Sequence, residues 1–274
     1  MTFQPTIDAK ALAAAVQTQR IGRVIRTLAE TPSTNDVCWE HLDQVGAAAD
    51  GFVVLADYQT AGRGRFARHW LAARASSVLL SAVIIQPQEP LLVPRLSLIA
   101  GIAACTAARH VSDAPIHLRW PNDLICQRKK VGGVLVESRS LEAGRIALVI
   151  GIGINCLQQP GHFPAVVRPK AASLDMVSTH AISREDLAVA LIRQLDRWLA
   201  APTLAAAESV GAEWQKLAEP LGQRVCLIHA GQRLYGTTIE LDPTGGLLVQ
   251  LESGGRRIFD PSTTTLEVPG QGQD

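Results

Sequence analysis

The chain has 274 residues, 47% of them hydrophobic, which is enough for a sizeable core and excludes disorder over most of its length. Lysine and arginine total 26 against 25 acidic residues, and the resulting net charge of +1 weighs against a dedicated nucleic-acid binder. The length exceeds an ordinary single domain and predicts one large domain with a small one.

In chain order, residues 8–16 are alanine-rich at helical spacing and residues 24–28 read as a short strand. Pro32 breaks the run, and Ser33, Thr34 and Asn35 offer capping side chains for a helix reaching Leu42. Residues 52–56 form a buried strand by composition. Residues 59–76 follow neither period and carry four arginines and two glycines, the composition of a long functional loop. A strand over 78–85 precedes a small-residue helix that Pro94 opens and Val111 ends. Three more strands fall at 116–120, 131–136 and 146–154, and amphipathic helices at 187–199 and 204–217. Near Pro220 the pattern changes to short strands between turns at 231–232, 243–246 and 254–255, which predicts a small all-β barrel. Domain limits of 1–219 and 220–268 follow, with 269–274 as a frayed tail.

No basic-then-apolar leader and no apolar run of bilayer length is legible, so a cytoplasmic protein without membrane association is expected. The five cysteines (Cys38, Cys105, Cys126, Cys156, Cys226) have no metal spacing and read as reduced, buried thiols. Neither HExxH nor GxSxG occurs, so zinc and triad hydrolases are not indicated.

Four stretches carry chemistry. The densest is Gly62-Arg63-Gly64-Arg65-Phe66-Ala67-Arg68-His69-Trp70. Glycines let backbone lie close to a ligand, and interleaved guanidiniums suit carboxylate and phosphate. An adenylate-forming site needs both, because a carboxylate must approach a polyphosphate. By composition alone the stretch also reads as a solvated basic loop or a nucleic-acid patch. Gly62-x-Gly64-x-x-Ala67 mimics a dinucleotide fingerprint, but no acidic residue stands at the required distance. The second stretch is Trp120-Pro121-Asn122-Asp123 with Lys129-Lys130-Val131-Gly132-Gly133 downstream. Asn122 and Asp123 are expected to project from a sheet edge, where Asp123 could hold Mg²⁺ through water or orient an amine. Lys130 would sit at the mouth of that sheet. Alone, the pair reads as a turn and two solvated lysines. The third, Gly151-Ile152-Gly153-Ile154-Asn155, is an apolar strand whose glycines imply a close approach to its backbone. The fourth, Ser33-Thr34-Asn35, is by itself an ordinary helix cap.

In this order, STN, YQTAGRGRxxRxW, WPND with KxGG and LVE, then GIGIN resemble the biotin–protein ligase family, strongly over residues 23–200 and weakly in the β-rich tail. The resemblance implies an α+β catalytic domain, a mixed sheet flanked by helices related to class II synthetases, with a small SH3-like carboxy-terminal barrel. It implies activation of biotin by ATP with Mg²⁺, then transfer to a lysine of a biotin carboxyl carrier protein. Ser33, Thr34 and Gln59 match the biotin ureido contacts, with Asn35 beside them. Gly62 and Arg63 match the loop backbone over the ligand, and Arg65 the arginine that retains the adenylate. Arg68 and Trp70 match phosphate and adenine contacts; Asn122 and Asp123 match the ATP and metal side. Lys130 matches the lysine between the biotin carboxylate and the α-phosphate. Gly133, Leu135, Gly151 and Gly153 resemble biotin-wall residues, and Asn155 an adenylate-side amide. Lys130, Arg65 and Asp123 are the expected catalytic set.

Members that repress transcription carry an amino-terminal helix-turn-helix. With STN beginning at Ser33, the ligase-only form without specific DNA binding is expected. The tail shows no equivalent of the family's basic ATP contact, so no site residue is expected there. The metal ligands and the oligomeric state stay open, a homodimer among the options. The rival readings are a lipoate or other acyl-adenylate ligase of this fold, and a nucleic-acid-binding protein using the arginine loop.

Overall fold

A computed structural model describes residues 4, 6–89, 92–200, 207–242 and 246–267. The expected helix start at 204, the turn at 243–245 and the tail at 269–274 lie outside these residues. The elements run α1 (Ala9–Val16), β1 (Ile25–Leu28), α2 (Thr34–Val45), β2 (Val53–Ala56), β3 (Ser77–Pro87), α3 (Leu92–Val111), β4 (His117–Arg119), β5 (Asp123–Cys126), β6 (Lys129–Ser140) and β7 (Arg145–Asn155). Then follow α4 (Leu174–Val177), α5 (Arg184–Leu199), α6 (Ala207–Leu217), β8 (Arg224–His229), β9 (Gln232–Leu241), β10 (Leu247–Leu251), β11 (Arg256–Phe259) and β12 (Thr264–Glu267).

A seven-stranded mixed sheet has the order β1-β2-β3-β7-β6-β5-β4, with β1 and β2 parallel and the other pairs antiparallel. Strand alternation decides what each face carries. On β3, Val78, Leu80, Ala82 and Ile84 point into the main core with α3 and α5, while Val83 and Ile85 pack under α2 with Val37, Trp39 and Leu42. Both faces are covered, so the strand reads as a continuous apolar run rather than an alternating one. On β7, Ile150, Ile152 and Ile154 join the main core, which leaves Gly151 and Gly153 on the α2 face. That face, beyond the start of α2, holds the cavity described below.

Capping follows the sequence. Asp8 accepts from Ala11 N at 2.7 Å and Ser183 from Asp186 N at 3.1 Å, with Glu185 and Asp186 favourably placed in the first turn of α5. The buried Asp196 carboxylate accepts from the backbone of Gln19, Arg20 and Ile21, tying the amino-terminal segment to α5.

Three expectations change. The 20-residue α3 begins two residues before Pro94 and, at a mean hydropathy of 1.3, is long and apolar enough to cross a membrane, contrary to the sequence reading. It lies against the sheet, α5 and α6, with 67% of its most apolar window buried. Strand β5 was not foreseen: Asp123 does not project from a sheet edge but opens β5, paired with Arg119 of β4 and Gly133 of β6. The "loop" after Gln59 contains a small hairpin, with Gly64 N to Arg68 O at 2.7 Å and Trp70 N to Gly62 O at 2.9 Å. After Pro220 a five-stranded antiparallel sheet, β11-β10-β9-β8-β12, fits an SH3-like domain.

Candidate active site

A cavity of about 160 Å³ opens between the start of α2, the hairpin and the α2 face of β3, β7 and β6. The cavity brings together Ser33, Thr34, Asn35, Gln59, Arg63, Arg65, Arg68, Trp70, Asn122, Asp123, Lys130, Gly133, Leu135, Gly151 and Gly153. Gly62 and Asn155 are not among the residues that line it. The Asn155 amide donates to Ala172 O at 3.0 Å and accepts from Gln158, bracing the segment after β7 rather than facing the cavity.

Ser33 occupies the N-cap position of α2 but makes no capping bond, so it is not spent on the helix. The Thr34 N–H and hydroxyl both donate to Gln59 Oε1, at 2.7 and 2.9 Å. Beneath them lies Ser81 of β3, fully buried, with its hydroxyl 2.7 Å from Thr34 Oγ1 and 2.6 Å from Asn35 Oδ1. Ser81 was not anticipated, because within an apolar run it looks like any strand residue. The Asn35 Nδ2 and Trp70 Nε1 donors are buried without a partner among the described residues, unspent donors beside the cavity.

The two glycines of GIGIN meet the close approach their strand position implied. A Cβ on Gly151 would stand 2.5 Å from Asn35 Oδ1, and one on Gly153 would stand 2.6 Å from the Trp70 indole. The protein's own side chains make that approach.

The charges divide into satisfied and unsatisfied. Lys130 Nζ donates to Asp123 Oδ1 at 2.5 Å, and Asp123 is the sole carboxylate among the described lining residues. Asn122 is fixed by its Nδ2 on Val134 O and by Val134 N on its own carbonyl. Arg65 donates to the carbonyls of Pro261 and Thr264 and, at 3.4 Å, to Asn122 Oδ1. Burial pulls its guanidinium below the usual range, and the charge of Arg68 adds to this against the opposing pull of Asp123. Arg68 is held through its backbone, but its guanidinium has no hydrogen-bond or ion-pair partner among the described residues. The small sheet also reaches the cavity through Thr265 and Leu266, in the stretch where the sequence offered no site residue. Neither residue type signals chemistry in a sequence. All five cysteines are free and buried, none of them lining the cavity, as expected of structural thiols.

Fold and cavity together define a class: residues 27–155 match the model of the Biotin/lipoate A/B protein ligase family. The chain is 31% identical over 271 residues to the biotin--[acetyl-CoA-carboxylase] ligase of Mycobacterium tuberculosis, covering 93% of this chain and 94% of that one. The bifunctional ligase/repressor BirA of Bacillus subtilis is 29% identical over 213 residues, 77% of this chain, which spans 65% of that relative's length. The structure of the Aquifex aeolicus biotin protein ligase in complex with biotin and ATP superposes with a TM-score of 0.72 at 26% identity, covering 90% of this chain and 99% of that one. The chain belongs to the biotin protein ligase family.

Proposed function

We propose that this chain activates biotin with ATP and passes the biotinyl group to a lysine of a carrier protein. One observation carries the reading. A floor of neutral polar groups (Ser33, Thr34, Asn35, Gln59) shares a single cavity with the unpartnered Arg68 guanidinium and with Lys130. A ligand with a neutral hydrogen-bonding head and an anionic end matches that division, and the ureido ring and carboxylate of biotin have it.

A carboxylate is ionised at neutral pH, so its attack on the α-phosphorus needs no base. A carboxyl oxygen–phosphorus bond forms as the bond to pyrophosphate breaks. The obstacle is repulsion between two anions, which the cations of Arg68 and Lys130 offset. Asp123, the single lining carboxylate, suits Mg²⁺ arriving with ATP, which is commonly held by one or two carboxylates plus phosphate oxygens and would neutralise phosphate charge. In the second half, an unprotonated lysine amine attacks the acyl carbon, an amide forms and AMP leaves. We assign the acceptance of the amine's proton to Asp123, the carboxylate that lines the cavity.

The carrier domain of a biotin-dependent carboxylase is the proposed acceptor. The absence of sequence-specific DNA binding, suggested by a net charge of +1, belongs to the same proposal. The test measures ATP-dependent pyrophosphate release with biotin and with lipoate, then biotin transfer to a purified carrier domain. Biotin is expected to drive release and lipoate not; equal release, or a preference for lipoate, overturns the reading.

A further inference from the structure

The three arginines of the hairpin stand in different surroundings, and the first of them has no role in the chemistry above. The Arg63 guanidinium does not face the cavity's unspent donors. It forks onto Asp36, Nη1 at 3.0 Å and Nη2 at 2.7 Å from the two carboxylate oxygens, and reaches Glu137 Oε1 with Nε at 3.4 Å and Nη2 at 3.3 Å. These carboxylates come from elements with their own buried footing. Asp36 follows Asn35 in the first turn of α2, and Glu137 lies on β6 two residues past Leu135. Glu137 is itself fixed by the buried Trp39, whose Nε1 donates to Oε2 at 3.0 Å. An anionic ligand seeking Arg63 would have to displace two carboxylates.

The hairpin needs an external hold. Its own ladder is short, and its tip places Phe66 and Ala67 at φ of 54° and 55°, the left-handed region that residues other than glycine rarely enter. An Arg–carboxylate fork is the geometry that fixes a loop in one orientation.

We propose that Arg63 is a positioning residue: clamped between Asp36 and Glu137, it holds the 62–70 hairpin over the cavity and sets how long an anionic ligand stays beneath it. The retained ligand is the one the ligase reading names. The clamp is made of the chain's own residues and can be judged without activity.

Trypsin cleaves after Arg63, Arg65 and Arg68, so limited digestion of the full, unliganded chain reads the hairpin directly, with hairpin-derived peptides quantified by mass. Glu137→Gln keeps an acceptor for Trp39 and removes only the charge. Cleavage in the hairpin is expected to quicken about threefold in Glu137→Gln and about tenfold in the Asp36→Asn/Glu137→Gln pair, the scale of a small exposed ion network. In the wild type, raising salt from about 0.05 M to about 0.5 M shortens the screening length and should move cleavage towards the rate of the pair, which should itself respond little. Hairpin cleavage at the wild-type rate in both variants, or the same salt response in all three proteins, overturns the clamp. If the pair melts early, Glu137→Gln with an unchanged melting curve decides alone.

The retention half is read as escape of preloaded biotinyl-adenylate, expected to accelerate in parallel with cleavage. Faster cleavage with unchanged escape overturns that half. A wild type with no biotin-dependent pyrophosphate release sinks the ligase reading instead, and the digestion still judges the clamp.

Discussion

The floor and the roof of the cavity are built on different physics. The floor is interior: Ser33, Thr34 and Asn35 are at most 4% exposed, Ser81 is fully buried, and the bonds from Thr34 and Ser81 run from 2.6 to 2.9 Å. The roof is a short hairpin with Phe66 50% exposed, held by guanidinium contacts to α2, β6 and the small sheet. Buried hydrogen bonds fix one geometry and respond little to solvent. Exposed ion pairs are weak one by one and respond to salt. The floor can therefore select a ligand head group by shape, while the roof opens and closes at modest cost.

The largest expected effect lies where floor meets roof. Lys130→Ala removes the cation at the proposed carboxylate–phosphate junction and leaves Asp123 unpaired beside an anion. Loss of such a charged donor costs about 3 kcal/mol or more of transition-state stabilisation, so biotin-dependent pyrophosphate release should fall at least about a hundredfold with the fold intact. A rate within about threefold of wild type sinks the assignment.

High pH separates the two regions next. Burial pushes the Cys105 thiol up to about 11 and the Cys156 thiol up to about 12, from 9.0, and raises Cys38 on α2 as well. With folded values raised, this contribution to stability is whole below pH 9 and is lost as pH climbs towards 11 to 12. Each such thiol removes on the order of 1 kcal/mol per pH unit in that window. Thermal melts at pH 8, 9 and 10 with Cys156→Ala alongside measure it. A wild type no more pH-sensitive than the variant contradicts the burial argument.

Ser81→Ala tests the floor alone. It leaves Asn35 Oδ1 without its donor and removes one of the two bonds at Thr34 Oγ1, a loss of about 1–3 kcal/mol for buried polar groups. The Michaelis constant for biotin should rise about tenfold with kcat held within about twofold. A fall in kcat with an unchanged Michaelis constant would place Ser81 outside the binding geometry.

How far the sequence carried this picture depends on period and charge. The alternation in Gly151-Ile152-Gly153-Ile154 already assigns isoleucines to one face and glycines to the other, and the structure places them so. Most lining residues came from four motifs rich in charge, amide or glycine. Strand β5 was illegible because it has four residues and ends in a turn whose Gln127 and Arg128 take positive φ without glycine. The hairpin tip hid for the same reason, its left-handed residues being Phe66 and Ala67. Ser81, Thr265 and Leu266 act through neighbours distant in sequence, which no local pattern records.

The smallest expected effect concerns Arg65, the roof's link to the small sheet. Its guanidinium holds the carbonyls of Pro261 and Thr264 while its own loop covers the cavity, so it couples the roof to the small sheet. Arg65→Gly removes that coupling and adds backbone freedom, about 1 kcal/mol of extra ordering cost for closure. Adenylation itself should survive, because Lys130 and Arg68 remain. Escape of the reactive anhydride should quicken by about fivefold, the factor that 1 kcal/mol represents. Free anhydride acylates exposed lysines, so an unrelated lysine-rich protein incubated with the variant, biotin and ATP should become biotinylated, as read by blot. Arg65→Lys keeps a charge but not the fork that reaches two carbonyls, and should label at an intermediate level. If the bystander stays unlabelled while the glycine variant still releases pyrophosphate, the roof is held elsewhere, and the Asp36–Arg63–Glu137 clamp suffices without the small sheet.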